Sequence, residues 1–268
     1  MAAAAGTENA NGLAFNCALI TGGAGGIGKS LAQYFISKDK KIIIAGKTES
    51  KLRESAREIG ADSYYVLDTG NTSAISGFVD KVTTEHEDLD CLVNNAGIQK
   101  PLEVSENDKD DFLDKADQEI NVNIRGPMHL ALGLLPHFRT KPSAAIINVS
   151  SILGFVPFSI LTPVYNGTKA WLHSWTMNFR AQLQRNETAG SGKIRVLEIV
   201  PPLVESDLHR DRGDPDDNKK EKNPIALTTD EFMRDTAMQL ERGNQTIAPG
   251  LANEVVKEWF DGMGSRYE

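Results

Sequence analysis

The sequence predicts an α/β fold: a doubly wound, mainly parallel sheet of about seven strands with helices on both faces. Three observations predict it. Short β-branched runs alternate with longer helical patterns. Those runs are near-continuously apolar rather than alternating, as strands buried on both faces are. The first run ends in a glycine-rich turn that leads straight into a helical pattern, the order in which dinucleotide-binding folds begin.

The elements follow in order. Strands are expected at Ala18–Thr21, Lys41–Ala45, Tyr64–Leu67, Cys91–Asn94, Ala145–Val149 and Arg195–Val200. Between them, Gly25–Lys38, Glu49–Ile59, Thr72–Glu85, Phe112–Phe138 and Pro163–Leu183 carry helical spacing, and each is long enough for the crossover that parallel strands require. Thr228–Arg242 and Leu251–Gly262 read as helices, with Gln245–Ala248 a short last strand. The alternation is unbroken, so residues 14–268 read as one domain behind a disordered tail, 1–13. One segment breaks the rhythm. Ser206 to about Asn223 is polar, charged and longer than an ordinary connection, which makes it a binding loop, a disordered insertion or a lid spanning about 203–228.

Composition narrows the function. Of 268 residues, 40% are hydrophobic and 25% charged, an ordinary globular balance. Lys and Arg total 29 against 37 Asp and Glu, a net charge of −8. That balance excludes a general nucleic-acid binder and disfavours anionic membrane surfaces, but a local site can still hold a small anion. Cys17 and Cys91 sit in apolar strand-like runs and read as small buried hydrophobes of a reducing compartment. No apolar run approaches the ~20 residues of a membrane helix, and the N-terminus lacks a secretory pattern. A cytoplasmic location is expected. No metal site is read.

Four motifs carry chemistry. Thr21-Gly22-Gly23-Ala24-Gly25-Gly26-Ile27-Gly28 closes the first strand and opens a helix, so backbone N–H groups can approach a pyrophosphate. The second strand ends in Gly46-Lys47-Thr48, where an NAD site usually offers a carboxylate to the ribose 2′-hydroxyl. A cation and a hydroxyl there favour the 2′-phosphate of NADP(H), unless Lys47 is an ordinary solvated lysine. Tyr165 and Lys169 stand four apart on one helical face. A free tyrosine is a poor acid or base at neutral pH, and an adjacent ammonium is expected to lower its pKa. Ser150 and Ser151 end the fifth strand, the side on which open α/β sheets bind ligands, and either hydroxyl could bond a substrate oxygen.

Together these residues resemble the short-chain dehydrogenase/reductase family, in its single-domain branch with a Rossmann-type fold. The matching segments are TGGAGGIG at 21–28, Asp68 in VLDT, Asn94-Asn95-Ala96-Gly97, Asn123 in NVNIRG, Ser151 in NVSSILG and Tyr165/Lys169 in YNGTK. NNAGIQ, EINVNIRGP and EIVPP look most like the subgroup named after the DltE oxidoreductase. The resemblance implies that Tyr165 is the catalytic acid/base, that Lys169 lowers its pKa and binds the nicotinamide ribose, and that Ser151 polarises the substrate oxygen. Asn123 would hold a water linking Lys169 to solvent. Gly22, Gly26, Ile27 and Gly28 would surround the pyrophosphate, and Asp68 with Thr69 the adenine. Asn95 and Gly97 would line the cleft, with Ile199, Pro201 and Ser206 beside the nicotinamide.

Two departures stand out. Pro201-Pro202 replaces the family's Pro-Gly, and a second proline forces a different turn. Ser151 and Tyr165 are 14 positions apart, one more than the family leads one to expect, which a longer loop at Phe158–Pro163 would absorb. The expected activity is NADP(H)-dependent interconversion of a carbonyl and an alcohol. The alternatives are imine or enone reduction, epimerisation or dehydration on the same scaffold, or a non-catalytic NADP-binding regulator. The pocket is expected from Ile152–Pro163, Gln99–Leu102 and Leu203–Thr228. Leu153, Phe155, Phe158, Leu161 and Trp171 hint at an apolar or bulky substrate, with Phe155 and Trp171 open to a core or interface role. Relatives pair through the two long helices, and Trp171, Leu172, Trp175, Met177 and Phe179 point to a homodimer or homotetramer.

Overall fold

The computed structural model describes residues 13–104, 108–185 and 193–266. Among them seven strands form one sheet: β1 (Cys17–Thr21), β2 (Lys41–Gly46), β3 (Ser63–Val66), β4 (Leu89–Asn94), β5 (Ser143–Val149), β6 (Lys193–Ile199) and β7 (Thr246–Ile247). They lie in the order β3-β2-β1-β4-β5-β6-β7. Every pairing is parallel. Strand side chains alternate between faces, so apolar residues at every position feed two cores at once. Ala18 and Ile20 join Phe35, Leu52 and Phe232 on one face. Cys17 and Leu19 join Phe78, Leu130 and Phe138 on the other.

The helices are α1 (Gly26–Ile36), α2 (Glu49–Ile59), α3 (Thr72–Glu85), α4 (Lys109–Ile120), α5 (Gly126–Phe138), α6 (Pro163–Arg185), α7 (Thr229–Glu241) and α8 (Ala252–Gly262). The chain winds outward from β1 to β3, then crosses back to place β4 on β1's other side. That reversal opens a crevice at the carboxyl ends of β1 and β4, where such sheets hold ligands.

Three expectations change. The helix expected over Phe112–Phe138 is two helices joined by a π turn, Asn121–Arg125. Pro127 has no N–H to give the carbonyl four residues back, and the Gly126 N–H reaches five back to Asn121 instead. The expected tail ends earlier: residues 1–12 lie outside the described residues, while Leu13 is buried in the first core. The charged segment after Ser206 is folded rather than a disordered insertion. It opens with a 3₁₀ turn, Asp207–His209, and is closed at its base by a bridge between Val204 and Leu227. Buried Asn218 donates to the carbonyls of Val204 and Ser206, at 3.2 and 3.0 Å. Both cysteines are buried and unpaired, and burial pushes the Cys17 thiol up to about 12. Among the described residues no helix is long and apolar enough to cross a membrane.

Candidate active site

The site begins where β1 runs into α1. The Asn95 side chain donates to the carbonyls of Thr21 and Gly22 at 2.9 and 3.3 Å, while Thr21 Oγ1 accepts from the N–H groups of Asn95 and Ala96, both at 3.0 Å. These bonds clamp the ends of β1 and β4 against the turn. Gly22 has φ +65°, and a methyl there would meet the Asn95 amide at 2.9 Å. A methyl on Gly28 would overlap the same amide and the Gly22 carbonyl. Glycine is required at both positions. Gly25 caps α1 with no side-chain partner for the first N–H groups, and the first turn carries no acid. Those donors are left for an anion.

From this turn a single cleft of about 1220 Å³ extends in both directions. Gly22, Gly26 and Ile27 form its middle wall, with Asn95 and Gly97 facing them. Gly28 lies beneath the turn and is buried, so it supports the wall without lining it. Towards β2 the cleft meets Lys47, Asp68 and Thr69. Lys47 is exposed, and its Nζ sits 2.9 Å from Asp68 Oδ2. Lys51, in the first turn of α2, faces the same end and escaped the sequence reading because nothing in its motif marks it.

Towards β5 the cleft meets Ser151, Tyr165 and Lys169, with Pro201 and Ser206 across from them. The Ser151 hydroxyl and the Tyr165 phenol line this end together, and Ser151 Oγ accepts the Leu153 N–H at 3.1 Å. The competing hydroxyl is turned away: Ser150 Oγ donates to buried Glu198 at 2.5 Å. Geometry therefore separates two adjacent serines that the sequence left open. Lys169 Nζ donates to the Val149 carbonyl at 2.8 Å and lies 5.5 Å from the Tyr165 ring centroid. Burial pulls the Lys169 ammonium down to about 8, against the attraction of Glu198 and Glu119. The expected depression of Tyr165 by Lys169 is corrected here. Burial dominates and holds the phenol above its ordinary value, with Ser151 and Arg212 opposing and Glu119 adding to the rise.

Asn123 stands behind the wall, 1% exposed, in the π turn. Its amide accepts the Ile98 N–H at 3.0 Å and donates to the Ile98 carbonyl at 2.9 Å and Thr168 Oγ1 at 3.1 Å. Ile199 is not brought to the cleft; it is buried in the core. The Ile152 N–H bonds the Pro201 carbonyl at 2.9 Å, so the Pro-Pro turn still anchors the loop after Ser151. The 3₁₀ turn Ile152–Gly154 and the loop to Pro163 absorb the 14-position spacing.

The substrate end is walled by all three expected segments, including Gln99, Leu153, Phe158, Leu203 and Ile225. Phe155 and Trp171 do not contribute. Phe155 packs at a tilt on His173 and edge-on against Trp259, with centroids 4.1 and 5.6 Å away, and Trp171 stacks on Trp175 at 5.6 Å. Leu161 is also outside the wall; its carbonyl accepts the Leu102 N–H at 2.9 Å. The charged segment is joined to the chain after β4. Arg212 donates to Gln99 at 2.8 Å and, within the segment, to Asp217 at 2.6 Å, and Lys100 meets Asp211 at 2.7 Å. Arg212 was not singled out in the sequence, since only the fold brings it to the cleft that Tyr165 lines.

The residues present fit a nicotinamide dinucleotide: a glycine cradle at mid-cleft, Lys47 and Lys51 at one end and Ser151, Tyr165 and Lys169 at the other. The family model for short chain dehydrogenase matches residues 16–217. The chain is similar to the uncharacterized oxidoreductase DltE of Bacillus subtilis (strain 168), 31% identical over 253 residues, covering 94% of either chain. It is 30% identical over 218 residues to the NADP-dependent 3-hydroxy acid dehydrogenase YdfG of Escherichia coli (strain K12), covering 80% of this chain and 84% of that one. In fold it resembles a solved short-chain dehydrogenase from Sphingobium yanoikuyae in complex with NADPH, with a TM-score of 0.78, 20% identity and 94% of each chain covered. The chain belongs to the short-chain dehydrogenase family of oxidoreductases.

Proposed function

We propose that this protein interconverts a carbonyl and an alcohol with NADP(H), using Tyr165 as general acid/base. The observation that carries the reading is that Ser151, Tyr165 and Lys169 line one end of a single cleft, with the Lys169 ammonium 5.5 Å from the Tyr165 ring and the glycine turn at mid-cleft. When bound, the cofactor supplies or accepts a hydride. The chain's own residues do the rest. Tyr165 gives its phenolic proton to the substrate oxygen as charge develops there, and Ser151 donates a hydrogen bond to that oxygen. Burial keeps the phenol protonated, which loads Tyr165 for reduction. Lys169 returns a proton to the phenolate, and Asn123 would hold the water that links Lys169 to solvent. The apolar wall of Leu153, Phe158 and Ile225 suits an apolar or bulky substrate beside the reacting group.

Lys47, Thr48 and Lys51 support a 2′-phosphate at the other end. YdfG, named as NADP-dependent, is consistent with this. The Lys47–Asp68 pair favours a second reading, NAD(H), because it occupies the cation. Lys47 is 69% and Asp68 39% exposed, however, so the pair is worth about 0–1 kcal/mol. A phosphate offers stronger charge-assisted bonds and would recruit Lys47 from it.

The test is a panel of ketones, aldehydes and alcohols followed by nicotinamide absorbance with NADPH and with NADH. Turnover with kcat/KM about tenfold or more higher for NADPH is expected, the discrimination one charge-assisted contact gives. A regulator binds NADPH without turnover on any carbonyl. An epimerase or dehydratase converts its substrate with no net NADPH consumption. Either result would replace the reading.

A further inference from the structure

Behind the catalytic wall stands a buried acid with an unused oxygen. Glu119 is fully buried near the end of α4, four residues before Asn123. Its Oε1 accepts the Lys100 N–H at 2.5 Å, and its Oε2 has no hydrogen-bond partner. A buried carboxyl left so is costly unless a proton or a water meets the free oxygen.

Its surroundings give it a use. The strap of chain after β4 passes three groups in turn. A methyl built on Gly97 would sit 3.4 Å from Asn123 Oδ1 and 3.7 Å from Lys169 Nζ. Ile98 bonds Asn123 through both its N–H and its carbonyl. Lys100 holds Glu119. Lys169, Asn123 and Glu119 are thus strung along one four-residue segment. The charged and titratable groups facing Glu119 are Lys100 from this strap and Lys169 and Tyr165 from α6. Lys115, one turn earlier on its own helix, is engaged by Asp111 at 2.7 Å.

We propose that Glu119 is the proton reservoir of the relay behind Tyr165, acting through Lys169. The inference rests on the oxidoreductase reading. In reduction, the substrate oxygen takes the Tyr165 proton as hydride reaches the carbonyl carbon. The phenolate takes a proton from the Lys169 ammonium. The resulting amine takes the Glu119 carboxyl proton through a bridging water, and the carboxylate is recharged from solvent. One solvent proton enters per alcohol formed, and oxidation runs the same transfers in reverse. Burial, opposed by Lys100 and Lys169, pushes the Glu119 carboxyl up to about 7, so it both gives and takes protons near neutral pH. Glu119 touches neither substrate nor cofactor; it is a positioning and relay residue.

The test compares wild type with Glu119→Gln, which keeps the size and the acceptor for Lys100 but cannot ionise. Glu119→Met serves as a second non-ionising variant if the Gln protein folds poorly. The wild-type kcat profile is expected to bend near pH 7. The variants should lose that bend, with kcat down about tenfold or more and KM for substrate and NADPH within about twofold. A variant profile that superimposes on an active wild type overturns the inference alone. A wild type without turnover overturns the oxidoreductase reading instead, and the relay with it. Unfolding of the cofactor-free protein against pH gives an independent readout. A carboxyl raised in the fold stabilises below its unfolded pKa, and that contribution is lost as pH rises through about 7. The wild type should therefore lose stability over this range and Glu119→Gln should not. Parallel curves would show that Glu119 does not titrate there and would sink the proposal.

Discussion

The two ends of the cleft are built by different physics. At the cofactor end, close packing does the work. Glycines 22 and 28 pack against Asn95, and bonds between Thr21 and Asn95 clamp β1 to β4. At the substrate end, two segments far apart in sequence are tied together by polar side chains, Arg212 to Gln99 and Lys100 to Asp211. The first end is close-packed and rigid. The second is a latch of partly exposed polar groups, the kind of contact that opens at low cost. The difference teaches that binding the cofactor and admitting the substrate can be altered separately.

Substitutions can break that separation or sharpen it. The largest effect is expected for Gly28→Val. Its side chain overlaps the Asn95 amide and the Gly22 carbonyl, and overpacking of this kind costs about 1–3 kcal/mol. Calorimetry should show NADPH affinity falling about 100-fold, with a lower melting temperature. Wild-type affinity would mean the turn is not packed as described. Next comes Lys47→Glu. A carboxylate beside a 2′-phosphate is repelled, so the NADPH-to-NADH ratio of kcat/KM should fall about tenfold or more. An unchanged ratio would move discrimination to Lys51 or Thr48.

Arg212→Ala probes the other end. It leaves Gln99 and Asp217 without their shared partner, so substrate KM should rise about fivefold while NADPH binding holds. Hydrogen exchange over residues 207–220 should quicken. The smallest effect on chemistry is expected on the outer face of α6, where Trp171 and Trp175 stack in parallel, at 10° between planes. Light scattering should read a dimer or tetramer for the wild type and smaller species for Trp171→Lys, with kcat changed less than about twofold.

Much of this was legible in the sequence. All six long strands lie within two residues of their expected bounds, because strands buried on both faces leave apolar runs that few other elements imitate. The glycine turn, Tyr165 and Lys169 were legible because each holds one residue type at one spacing in its motif. What escaped reading depends on distant neighbours. The π turn follows from Pro127, which looks like an ordinary helix-start proline until the preceding helix runs into it. Leu13 reads as tail until the first core covers it. Ser150 and Ser151 are equivalent until Glu198, 48 residues away, claims one of them. Arg212 and Glu119 look like surface charges in local context, and only the fold buries Glu119 or brings Arg212 to the cleft that Tyr165 lines. The direction of the Tyr165 shift was misread for the same reason: spacing reveals a neighbouring lysine but not the depth of burial.

Tyr165→Phe tests the central claim most directly, with turnover and NADPH binding measured on the same preparation. The substitution removes one hydroxyl from a buried ring and leaves the glycine turn untouched. Turnover should fall about 10²–10⁴-fold while the NADPH dissociation constant stays within about twofold. Near-normal turnover, or NADPH binding lost together with activity, would contradict Tyr165 as the acid/base.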